Sequence, residues 1–353
     1  MMSFRGGRLA ELRLPAGTVW LLTGIAEAKG RQAPYTKQAP QVLRALREVA
    51  LVQSVESSNR IEGVTVASNR LRPLVVGNAR PRDRSEEEIQ GYRRALSLIH
   101  TDAAGLPITP ETLLRLHRTA QQGAGDAGTW KRVDNQIVEL RVGAVPVVRF
   151  EPVSAVKTPK AIDELCLSYR HAVDQEQVPP LVTVGALVFD FLCVHPFRDG
   201  NGRVARLLAL LALYHYGYDV GRYVSLERLV EDTREDYYDV LQRSSAGWHE
   251  GRHDLFPWLN YFLTIVRGAY REFEERVVQV KSPRGAKTAL VGAAIEAFPG
   301  QFTLGDLERA CPGVSRDMIR RVLRDLQKAG RVSCLGRGPG AAWRKEGNTS
   351  KRG

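Results

Sequence analysis

Two apolar segments near the middle of the chain constrain its fold most. Thr183 to Val194 and Arg203 to Tyr216 have almost no polar face, and the second contains Leu207-Leu208-Ala209-Leu210-Leu211-Ala212-Leu213. A helix apolar on most sides belongs at the centre of a bundle, where neighbours cover it all round. The flanking sequence supplies such neighbours. From Pro40, a residue suited to a first helical turn, Val42, Leu46, Val49, Ala50 and Val52 recur at helical spacing. That helix should run to about Asn59 or Ile61 and stop at Gly63. Further helices are expected over Glu86 to His100 with Ser85 as cap, Thr109 to about Gln122 with Thr109 as cap, Val153 to Glu176, Leu226 to Ser244 and Leu255 to Val280. Residues 1–39 show no sustained period and read as an arm packed on the body, and Val76 to Ser85 reads as a loop.

One region breaks the helical pattern. Between Asn135 and Phe150, β-formers such as Ile137, Val138, Val147 and Val148 flank Gly143-Ala144, which predicts a hairpin. A second change follows Lys281-Ser282-Pro283-Arg284-Gly285, a linker by composition. Beyond it, Lys287 to Ala297, Leu304 to Ala310 with Thr303 as cap, and Arg316 to Ala329 with Ser315 as cap should be helices. Arg331 to Leu335 and Ala341 to Arg344 bracket Gly336-Arg337-Gly338-Pro339-Gly340 as two strands around a tip. Three helices and a β wing make a winged helix-turn-helix, with Arg316 to Lys328 in the recognition position. The fold class expected is mainly α, a helical bundle with one β-hairpin and a C-terminal winged helix domain.

Charge is uneven. Residues 281–353 hold 15 Lys/Arg against 6 Asp/Glu, so +9 of the chain's net +12 sits in that segment. A basic tail on a nearly balanced body suggests contact with DNA or an acidic partner. Cys166, Cys193, Cys311 and Cys334 form no CxxC pair and read as reduced thiols. The N-terminus has no long apolar run, and no segment reaches the ~20 apolar residues of a membrane span. A soluble, cytoplasmic protein without membrane contact is expected.

The chemistry concentrates in His195-Pro196-Phe197-Arg198-Asp199-Gly200-Asn201-Gly202-Arg203-Val204-Ala205-Arg206, between the two apolar helices. Glycines beside a helix N-terminus make an anion site, because unpaired amides and the helix dipole both favour phosphate. Arg203 and Arg206 add charge-assisted contacts to phosphate oxygens. Asp199 is a hard ligand for Mg²⁺, which prefers one or two carboxylates plus substrate phosphates. His195 is the side chain suited to take a proton from an attacking hydroxyl near neutral pH. Together these groups describe attack on a nucleotide phosphate.

This stretch resembles the motif of the Fic family, HxFx[D/E]GNGRxxR, at every fixed position. The resemblance covers about residues 40–275 and divides the chain into an arm (1–39), an N-terminal helical region (40–110), a Fic core (111–280) and the C-terminal segment (281–353). It implies a protein adenylyltransferase that moves AMP from ATP to a Ser, Thr or Tyr hydroxyl of a target protein, and to itself. By the resemblance His195 is the general base and Asp199 the Mg²⁺ ligand. Gly200, Asn201, Gly202, Arg203 and Arg206 form the phosphate cradle.

Ser58-Asn59-Arg60-Ile61-Glu62-Gly63 also resembles the family's inhibitory motif, [S/T]xxxE[G/N]. The resemblance implies that Ser58 and Glu62 belong to an inhibitory helix, with Glu62 paired to Arg206 where the γ-phosphate would sit. Residues 135–150 fall where the family places a flap that lays a target segment against the site. Tyr237 and Tyr238 resemble its adenine-side element. The remaining alternatives are another donor nucleotide, removal of AMP, or a DNA-binding regulator whose Fic body senses a nucleotide. A homodimer is compatible with each. His117, His171, His215, His249 and His253 lack ligand spacing, and Gly123 to Gly128 does not run from a strand into a helix, so neither group is assigned a role.

Overall fold

The computed structural model describes residues 1–38, 40–139, 147–281, 286–298, 300–311, 314–336, 338 and 340–346. In chain order its elements begin with α1 (Ala16–Gln38), α2 (Pro40–Ile61), α3 (Ser68–Val75), α4 (Arg84–Asp102) and α5 (Pro110–Ala120). The strands β1 (Ile137–Glu139) and β2 (Val147–Phe150) follow, then α6 (Thr158–Gln175), α7 (Pro180–Val194) and α8 (Asn201–His215). Next come α9 (Leu226–Asp232), α10 (Arg234–Ser245) and α11 (Phe256–Lys281). The C-terminal elements are α12 (Ala286–Glu296), β3 (Gln301–Thr303), α13 (Leu304–Ala310), α14 (Arg316–Lys328), β4 (Val332–Cys334) and β5 (Ala342–Lys345). The fold is mainly helical, with one antiparallel strand pair in the body.

The two apolar helices sit where their composition requires. Every residue of α7 from Leu181 to Val194 is buried, and α8 buries Leu207, Leu208, Leu210, Leu211 and Leu213. These helices pack on each other, with α6 and α11 against α7 and α4 and α5 against α8. The loop joining α7 to α8 is residues 195–200, so the core positions the motif directly. All four cysteines are free. No helix among the described residues is long and apolar enough to cross a membrane.

Several local expectations need correction. The arm expected over 1–39 does pack on the body, but its residues Ala16–Gln38 form a regular helix lying along α11 rather than a segment without period. Its contact stripe is narrow, chiefly Ile25, Ala28 and Thr18, whose Oγ1 donates to Asn260 Oδ1 at 2.7 Å, so the apolar period is faint. The cap of α4 is Asp83 rather than Ser85: its Oδ1 accepts from the Glu86 amide at 2.9 Å. The single helix expected over 226–244 is two, broken at Thr233, whose Oγ1 donates to Leu229 O at 2.8 Å and meets Tyr261 Oη at 2.9 Å. α3 carries no sequence signal that marks it as a helix.

β1 and β2 pair antiparallel, with Val138 opposite Val148 and Glu139 opposite Val147. The centre of the expected hairpin, 140–146, lies outside the described residues, as do linker residues 282–285 and Arg337 and Pro339 of the tip. At the C-terminus, α12, α13 and α14 enclose their own core of Val291, Phe298, Phe302, Leu307, Ile319 and Leu323. A three-stranded antiparallel sheet ordered β3-β5-β4 closes it. Thr303 and Asp306 form a reciprocal capping box at α13, and Ser315 caps α14. α12 rests on α2 and α11, and the Arg72 guanidinium lies 4.9 Å over the Phe298 ring.

Candidate active site

The loop between α7 and α8 is pinned by its own side chains. Phe197 is fully buried, stacked on His117 with ring centroids 3.7 Å apart and on Trp130 at 5.1 Å. Asn201 closes the turn from inside: its Oδ1 accepts from the Phe197 amide at 2.9 Å and its Nδ2 donates to Phe197 O at 2.8 Å. Gly200 caps α8 with φ +78°, and a Cβ there would stand 2.4 Å from Gln121 Nε2. A side chain there would be strained by the positive φ and would have to displace the Gln121 amide. His117 accepts from the Gly128 amide through Nδ1 at 2.9 Å, so its Nε2 carries the proton and donates to Asp199 O at 3.1 Å.

His195 ends α7 in the left-handed region, φ 49° and ψ 61°. Its Nδ1 lies 3.3 Å from Leu192 O. A carbonyl only accepts, so Nδ1 bears the proton and Nε2 keeps its lone pair. Burial pushes the imidazole down to about 4, with the Lys131 ammonium adding to the effect and Glu62 and Asp199 opposing it. The ring is therefore a neutral base at physiological pH. It lines a cleft of about 690 Å³ with Glu62, Gly202, Tyr237, Tyr238 and the paired strands' Val138 and Phe150.

Arg206, one turn into α8, is held by the end of α2. Its Nε donates to Ser58 Oγ at 2.8 Å, and its Nη2 donates to Ser58 O at 2.9 Å and Glu62 Oε1 at 2.7 Å. The guanidinium is almost fully buried, while the Glu62 side chain keeps 25% exposure on the cleft side. Glu62 fills the space above Gly202, where a Cβ would meet its Oε1 at 2.2 Å. A Cβ at this position would have to push the Glu62 carboxylate aside.

Residues 107–213 match the model of the family described as Fic/DOC. The chain carries a Fic/DOC family domain. The match includes the whole motif up to Arg206 but not the helix that bears Ser58 and Glu62. Among curated relatives, a protein adenylyltransferase Fic of Nematostella vectensis is 26% identical over 227 residues, covering 62% of this chain and 47% of that protein. A protein adenylyltransferase of Caenorhabditis elegans is 25% identical over 181 residues, covering 50% of this chain and 32% of its own length. The chain thus spans about half or less of these relatives. A Fic family protein of Desulfovibrio desulfuricans superposes with a TM-score of 0.60 at 24% identity, covering 95% of this chain and 98% of that one.

In and around the matched segment the expected residues fall in three settings. His195, Glu62, Gly202, Tyr237 and Tyr238 line one cleft, with Arg206 and Tyr237 also bordering a small cavity behind it. Asn201 and Arg203 are turned inward. Asn201 is spent on Phe197, and Arg203, 1% exposed, donates to Glu88 Oε2, to Asn59 Oδ1 at 3.4 Å and to Asp199 Oδ2 at 3.3 Å. Tyr237 is buried and packs on Trp258, leaving Tyr238 as the more open of the pair. Asp199 opens on a neighbouring cleft with Arg198 and Lys131. Its Oδ1 accepts from the Gly200 amide at 2.7 Å and its Oδ2 from Gln121 at 3.2 Å.

No cluster of three metal-ligating side chains occurs among the described residues. A single carboxylate, more than half exposed, nevertheless suits Mg²⁺ shared with substrate phosphates, which needs few protein ligands. Sequence reasoning missed Lys131, Asn135, Gln121 and Glu88, all of which touch the motif from outside it. A polar residue without a recognised pattern carries no signal of such contacts.

Proposed function

We propose that this chain is an adenylyltransferase that moves AMP from ATP to a Ser, Thr or Tyr hydroxyl of a protein, itself included. The observation that carries the reading is His195: neutral, its Nδ1 committed to Leu192 O, its ring lining a cleft beside Gly202 at the start of α8. Nε2 takes the proton of the attacking hydroxyl. The oxygen forms a bond to the α-phosphorus as the bridging P–O bond breaks, and pyrophosphate leaves. The α8 N-terminus favours the phosphate charge. Asp199 would hold Mg²⁺, which neutralises developing charge on the phosphates when bound. Val138, Val147 and Val148 are exposed on the paired strands, an apolar edge suited to an extended target segment by strand addition.

The resting state is read as autoinhibited. Glu62 occupies Arg206, the arginine that would otherwise meet the γ-phosphate, and lies over Gly202. ATP would then seat unproductively until α2 lets go.

A second reading rests on the C-terminal unit, taken as a winged helix. α14 turns Ile319, Val322 and Leu323 inward and leaves Arg316, Arg320, Arg321, Arg324 and Lys328 exposed. That face suits duplex DNA, which would make the chain a regulator with a nucleotide-binding Fic body. Incubation with ATP labelled at the α-phosphate separates the two readings: label on protein supports the enzyme, and DNA binding without transfer supports the regulator.

A further inference from the structure

Residues 130–135 run beside the motif loop and hold it from outside. The Lys131 amide donates to Pro196 O at 2.8 Å, and the Lys131 ammonium donates to Val194 O at 3.2 Å. Asn135 Nδ2 donates to Phe197 O at 3.1 Å, while Asn135 Oδ1 accepts from Lys131 Nζ at 2.8 Å. Three carbonyls, those of Val194, Pro196 and Phe197, are therefore held by one six-residue segment. They flank His195, which sits in a left-handed conformation that costs a non-glycine residue about 1–2 kcal/mol. Contacts around the loop have to over-determine that conformation, and those of residues 130–135 add to the ones Phe197 and Asn201 make from inside it.

Lys131 is 5% exposed, an unusual place for an ammonium group. Its two oxygen acceptors are a carbonyl at the end of α7, where the helix dipole favours a cation, and an amide oxygen whose side chain itself touches the loop. We propose that Lys131 is the positioning residue of the catalytic histidine: it clamps the backbone on both sides of His195, with Asn135 as its strut, and so holds the imidazole in place for proton transfer. This rests on the assignment of His195 as base. The groups facing His195 support a second consequence. Lys131 is the cation that opposes protonation of the ring, while Glu62 from α2 and Asp199 from the loop favour it. Burial itself pushes Lys131 down to about 8, which still leaves it mostly charged at pH 7.

The test uses the full chain carrying Glu62→Gly, with Lys131→Met, Lys131→Arg and Asn135→Ala added singly. Misplacing a reacting group by about 1 Å costs about 10²-fold, so Lys131→Met should lower kcat for AMP transfer by roughly 10- to 100-fold with the KM for ATP unchanged. Lys131→Arg should recover most of that loss, and Asn135→Ala should reproduce a smaller one. In proton NMR of the unliganded protein, the His195 titration, assigned by its disappearance in His195→Gln, should move to higher pH in Lys131→Met. It should stay in place in Asn135→Ala, which keeps the charge. Wild-type kcat in both Lys131→Met and Asn135→Ala, or a loss confined to KM, overturns the proposal. If Lys131→Met does not fold, Asn135→Ala and Lys131→Arg decide. If the parent transfers no AMP at all, the functional reading fails on its own, and the NMR shift alone judges the clamp.

Discussion

Arg206 Nη2 donates to Glu62 Oε1 at 2.7 Å, tying the second turn of α8 to the end of α2. The same guanidinium meets Ser58 through Nε and Nη2, so three of its hydrogen bonds go to one neighbouring segment. Only Nη1 is left, buried and without a partner. An arginine held in this way is not free to receive a phosphate. Replacing Glu62 with Gly should therefore raise AMP transfer, by about 10-fold or more if the contact shifts the productive state by about 1.4 kcal/mol. In an Arg206→Ala background the same substitution should do nothing, since both states use that arginine. Steady-state rates for the four proteins check this, and an unchanged rate for Glu62→Gly removes the inhibitory role.

The space above Gly202 offers an independent check that needs no activity. Gly202→Ala places a Cβ 2.2 Å from the carboxylate of Glu62 and 3.2 Å from Arg206 Nη1. Overpacking of this kind commonly costs about 1–3 kcal/mol. The thermal midpoint of Gly202→Ala should fall, and adding Glu62→Gly should restore much of the loss. Additive effects of the two changes would mean that Glu62 does not occupy the site in solution.

Four histidines make the fold sensitive to acid. Burial holds His100, His117, His195 and His253 each at about 4, below the ordinary 6.5. Between these values the unfolded chain binds protons that the folded chain refuses. Stability is present above pH 6.5 and is lost as pH falls toward 4. Urea midpoints measured from pH 7 to pH 4.5 should decline steadily, with His117→Phe flattening part of the curve. A midpoint independent of pH across that range contradicts the burial of these rings.

The basic face of α14 predicts a salt-sensitive association. Arg320→Glu with Arg324→Glu in the full chain should abolish binding to duplex DNA at low salt while leaving AMP transfer intact. Single charge-neutralising changes on this face should each reduce the salt slope by about 0.9 for every phosphate they release. If the unaltered protein has no affinity for duplex DNA even at low salt, α14 is a protein-docking face instead.

The features legible in the amino-acid order are those that depend on local pattern. The apolar runs of α7 and α8 place the bundle centre, and the contiguous motif between them places His195, Gly200 and Gly202. The position of Glu62 at the end of α2 is readable because Gly63, at φ +80°, stops the helix there. α1 escapes such a reading because its buried stripe is thin, and the break at Thr233 because a tertiary contact to Tyr261 competes with helix continuation. The inward turn of Arg203 is equally hidden. Its partner Glu88 lies 115 residues away on α4, and nothing in either segment advertises the pair. Lys131 and Asn135 belong to the same class, being ordinary polar residues whose role comes only from the loop they touch.

Proton transfer to His195 is the step on which the proposed activity depends most directly. Glu62→Gly protein incubated with ATP and Mg²⁺ should acquire a mass increment of one AMP on a hydroxyl side chain, read by intact-mass and peptide mass spectrometry. The same protein carrying His195→Ala should form that adduct about 10²–10⁴-fold more slowly, the usual contribution of a general base. It should bind ATP as before, because the proposed phosphate contacts come from the α8 N-terminus and Arg206 rather than from His195. An AMP adduct of undiminished yield in His195→Ala, or no adduct on either protein or on added targets, would contradict His195 as the base of an adenylyl transfer.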